Sequence, residues 1–128
     1  MEKNEIIEGN KAIAEFLEWR TGLEKYNQQN DYSMPTYLTE NSKHPGATMI
    51  NVKGMKFHTS WDWIVPPCKK CAELCYNHKG SITNDIIVLN NIETNIRESV
   101  ADYDIAKAYK YLTKFINYYN KVKGEGKL

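Results

Sequence analysis

At 128 residues the chain is long enough for a core that needs no disulfide staples, and 17 Lys and Arg against 16 Asp and Glu leave a formal charge of +1. That balance excludes a global field steering the molecule to nucleic acid or an anionic membrane, and the apolar runs are too short to span a bilayer. Three cysteines cannot all pair within one chain, and Met1-Glu2-Lys3-Asn4-Glu5 leads into no signal-peptide apolar region, so the expectation is a soluble cytoplasmic protein with one domain over 1–128.

In chain order, a first helix is expected over residues 4–20. Ile6, Ile13, Phe16 and Leu17 fall on one face with Ala14 beside them, and Gly22 offers a C-terminal stop. Residues 22–48 read as a long polar loop around a brief apolar piece, Met34-Pro35-Thr36-Tyr37-Leu38, which Pro35 restricts to an edge strand or none. Met49-Ile50-Asn51-Val52 and Met55-Lys56-Phe57-His58 read as strand pieces around Gly54.

Ser60 then serves as N-cap of a second helix, with Asp62 in its first turn and Pro66 and Pro67 distorting it, running to about residue 76. Ile86-Ile87-Val88-Leu89 is an uninterrupted β-branched run suited to a strand covered on both faces. Asn90-Asn91 reads as a hairpin turn, and Ile92, Thr94 and Ile96 alternate with Glu93, Asn95 and Arg97 on a return strand. A last helix is expected over 100–121, capped by Ser99 with Asp102, its stripe formed by Ile105, Ala108, Tyr109, Leu112, Phe115, Ile116 and Tyr119. Residues 122–128 form a loose tail. The order implies an α+β fold, a small antiparallel or mixed sheet layered with three helices in an α/β/α sandwich.

The block Phe57-His58-x-Ser60-Trp61-Asp62-Trp63-Ile64-Val65-Pro66, the later Ala108-Tyr109-x-x-Leu112-x-x-Phe115-Ile116-x-Tyr118-Tyr119-Asn120 and the opening Ile13-Ala14-Glu15-Phe16-Leu17 resemble the small phage ABA sandwich domain proteins of gut bacteria and their phages. The similarity covers most of the chain except 22–48, and the Ser-Trp-Asp-Trp block is its specific part. The resemblance implies a three-layer α/β/α arrangement in a bacterial host cell, and it implies no activity and no catalytic residue. The chain departs from that pattern at Cys68 and Cys71, where relatives tend to carry apolar aliphatics, and at Cys75, near a usual helix-ending glycine.

Three constellations carry candidate chemistry. Cys68, Cys71 and Cys75, with His78 after them, offer thiolate and imidazole ligands for zinc or an iron–sulfur cluster. Their offsets put all three thiols on one helical face, so core packing outweighs metal binding. His58 and Asp62 could serve as an acid–base pair, but no nucleophile or phosphate loop accompanies them, and a helix-dipole role explains Asp62 better. Lys107, Lys110, Tyr111, Lys114, Tyr118 and Lys121 lie opposite the apolar stripe of the last helix, where amines bind phosphates and rings stack on bases. A solvated face with lysine stems covering tyrosine rings is the simpler account. Trp61 and Trp63, two apart, cannot share a helical face, and either could anchor a protein partner. The resulting expectation is a non-enzymatic binding or interaction protein without cofactor, its partner a protein or small molecule. Nucleic acid is open but not favoured, and a homodimer is possible.

Overall fold

The computed structural model describes residues 2–21, 36–38, 49–78, 80 and 83–126, which form two compact units, Met1–Met55 and Lys56–Leu128. Among the described residues four helices carry the fold: α1 (Lys3–Phe16), α2 (Trp61–Asn77), α3 (Asn84–Ala101) and α4 (Ile105–Gly124). The α/β/α sandwich expected from the sequence, and implied by the resemblance to phage ABA sandwich proteins, is not what forms. The body of the protein is all-α, helix packed on helix.

In the first unit, α1 buries Asn10, Ile13, Ala14 and Phe16, the apolar face read from the sequence plus one amide. It stops at Phe16, well before Gly22. Trp19 N–H reaches Ala14 C=O at 3.0 Å and Glu18 N–H reaches Glu15 C=O at 3.0 Å, with Glu18 at φ 64°. This is a Schellman cap with glutamate where glycine is usual. The Asn10 amide donates to the carbonyls of Val52 (3.1 Å) and Met55 (3.4 Å), pinning α1 to a single 3₁₀ turn at Val52–Gly54. That turn replaces the continuation of the expected strand: Asn51 caps it by accepting from Lys53 N–H at 3.0 Å.

Three short strands, β1 (Arg20–Thr21), β2 (Thr36–Leu38) and β3 (Met49–Asn51), pair antiparallel in that order. Tyr37 stands opposite both Thr21 and Ile50, so the piece expected at an edge is the middle strand. At two to three residues each, the strands do not form a layer on which helices stack. The rest of the 22–48 loop lies outside the described residues.

The piece Met55-Lys56-Phe57-His58, whose last three residues open the second unit, is not a strand. Lys56 C=O accepts from Thr59 and Ser60 N–H in a turn that leads into α2. Ser60 is the N-cap residue as expected, yet its side chain makes no capping bond. Pro66 and Pro67 stay inside α2. Lacking N–H groups, they cannot donate to the Asp62 and Trp63 carbonyls one turn back.

The largest departure is α3, which absorbs the whole expected hairpin. Thr83 accepts from Ile86 N–H at 3.3 Å to start it. Ile86, Leu89, Ile92, Glu93, Ile96 and Ser99 are buried, a helical series of three- and four-residue steps. Ser99 is therefore a core residue of α3, its hydroxyl donating to Asn95 C=O at 2.7 Å, and not the cap of the last helix. Asp104 caps α4 by accepting from Lys107 N–H at 3.1 Å. The corner between them is a second Schellman cap: Asp104 N–H to Ser99 C=O at 2.9 Å, Tyr103 N–H to Val100 C=O at 3.1 Å, and Tyr103 at φ 56°. It folds α3 and α4 into an αα-hairpin, and α4 buries Ala108, Tyr109, Leu112, Phe115 and Ile116. α4 continues through Gly124, into the expected tail. Among the described residues no helix is long and apolar enough to cross a membrane.

Candidate functional site

Because α4 buries one face, its opposite face is set by arithmetic. At 100° per residue, Lys107, Lys110, Lys114 and Lys121 fall within about 60° of arc. All four are exposed. Lys110, Thr113, Lys114, Asn117, Tyr118 and Lys121 line an open depression of about 490 Å³. Of the residues singled out in the sequence, Lys110, Lys114 and Tyr118 meet in this groove. Lys107 and Tyr111 are not part of its lining.

Tyr118 is half-buried, and its hydroxyl donates to Asp85 Oδ1 at 2.6 Å. Asp85 sits in the first turn of α3, so the hydrogen bond ties the two helices together and fixes the ring at the groove edge. The groove therefore has three amines, an amide and one oriented aromatic ring, with a carboxylate behind the ring, while the Thr113 hydroxyl donates to the Lys110 carbonyl at 2.9 Å. Such a set of amines and an amide can bind anions. Thr113 and Asn117 were missed by sequence reasoning, although each lies three residues from a lysine on the same face. Asp85 could not have been found while 86–97 was read as a hairpin.

The cysteines pack between helices. Cys71 is buried on α2, with Cys68 and Cys75 half-buried to either side of it. Across from them Glu93 of α3 is buried, its carboxylate held by Arg97 Nε at 2.8 Å. Burial pushes the Cys68 thiol up to about 12 and the Cys75 thiol up to about 11, with Glu93 adding to both. Burial likewise raises Cys71. The thiols are thus held neutral, the form that neither attacks nor ligates readily. Cys75 and His78 do line one crevice with Leu74, Ile86 and Phe115, but it has no room for a water molecule. Among the described residues no three His, Cys, Asp or Glu side chains gather as a metal site. Cys71 is thus a core residue, and Cys68, Cys75 and His78 are half-buried.

His58 rests edge-on against Tyr109, ring centroids 5.9 Å apart, and among the described residues its buried Nδ1 has no hydrogen-bond partner. Asp62 is exposed in the first turn of α2 and does not orient it. A general base needs such an orienting acceptor to fix its tautomer. Trp61 and Trp63 are both half-buried, and Trp63 stands at 84° to the Phe57 ring, 5.2 Å between centroids. That edge-to-face contact makes Trp63 a packing residue of the α2 entry. No family model, curated protein or solved structure matches the chain.

Proposed function

We propose that the protein is a non-enzymatic binding protein whose ligand carries phosphate and seats in the lysine groove of α4. The observation that carries this reading is the convergence of Lys110, Lys114 and Lys121 on one open depression with the fixed Tyr118 ring at its edge. The sequence alone favoured a solvated role for this lysine face, because an overall charge of +1 offers no long-range attraction. A local cluster needs none, since exposed charges act within about 8–10 Å at physiological salt. The neutral thiols and the unoriented His58 support a binding role over a catalytic one.

The test is fluorescence anisotropy with a labelled nucleoside triphosphate and a labelled oligonucleotide at low salt. Lys110→Glu with Lys114→Glu should weaken both by roughly 100-fold or more, since each reversal replaces an attraction of about 1 kcal/mol with a repulsion. Both substitutions are on the surface, so the circular dichroism spectrum should not change. Equal binding by the double variant would remove the groove from consideration. Turnover of the triphosphate by purified protein would overturn the non-enzymatic part.

A further inference from the structure

We draw no further inference here: the strongest candidate, the partly exposed apolar stripe of Trp61, Val65, Ala72 and Tyr76 along α2, carries nothing because, among the described residues, nothing in the structure shows what covers it.

Discussion

At Tyr103 the backbone holds φ 56°, a left-handed conformation that glycine enters without the steric cost of a Cβ. Tyr103 is 85% exposed, so its ring buries little in return. What keeps the residue there is the corner it closes. Its N–H and that of Asp104 satisfy two carbonyls at the end of α3, and Asp104 then starts α4. Tyr103→Gly should therefore stabilise the protein by about 0.5–1 kcal/mol, read as a higher urea midpoint with unchanged slope. A lower midpoint would mean that the ring stabilises the corner by a contact of its own. Asn10 makes the opposite case. It is fully buried, and its amide serves the carbonyls of Val52 and Met55. Asn10→Leu should cost about 1–3 kcal/mol despite adding apolar volume, since those acceptors lose their donor. A neutral result in the same unfolding experiment would show that water takes its place.

α3 shows why two periodicities can be read from one stretch. Ile92, Thr94 and Ile96 alternate as a strand would, and Asn90-Asn91 supplies turn residues. Ile86, Leu89, Ile92 and Ile96 equally follow steps of three and four. A short β-branched run does not arbitrate between them. The Thr83 cap and a partner helix one corner away do, because a helix satisfies its own backbone and needs no neighbouring strand. The long stripe of α4 was legible at once, and so were its lysines, for a face opposite a core stripe must be wet. The α1 face and the burial of Cys71 were legible for the same reason. Glu93 and Asp85 were not, because both depend on α3 being helical. Burial, with Glu93 beside them, gives the cysteines a testable property. Their folded pKa values lie above the ordinary 9.0, at about 12 for Cys68 and about 11 for Cys75. The folded state thus prefers the neutral thiol. That contribution is whole below pH 9 and is lost as pH climbs through 11 toward 12. The urea midpoint should fall between pH 8.5 and 11, and a variant with alanine for Cys68, Cys71 and Cys75 should fall less steeply. Parallel slopes would show that Glu93 and the helix interface do not disfavour the thiolates.

Across the whole molecule, 17 basic and 16 acidic side chains cancel at a distance. A ligand approaching α4 feels mainly the lysines it touches and the carboxylates beside them: Asp104 and Glu125 at the two ends of α4 and Asp85 beyond the Tyr118 ring. The salt dependence of binding is therefore a count of local contacts and not a measure of overall charge. With about 0.7 counterions released per phosphate neutralised on a single-stranded oligonucleotide, the three groove lysines, Lys110, Lys114 and Lys121, give a slope of log affinity against log salt near −2. Lys114→Glu should bring that slope to about −1.4. Asp85→Asn should strengthen binding a few-fold at low salt, with the gain fading by about 0.5 M as screening shortens to a few ångströms. A slope that ignored the lysine substitutions would place the ligand elsewhere on the molecule, where neither the α4 stripe nor Asp85 could act on it.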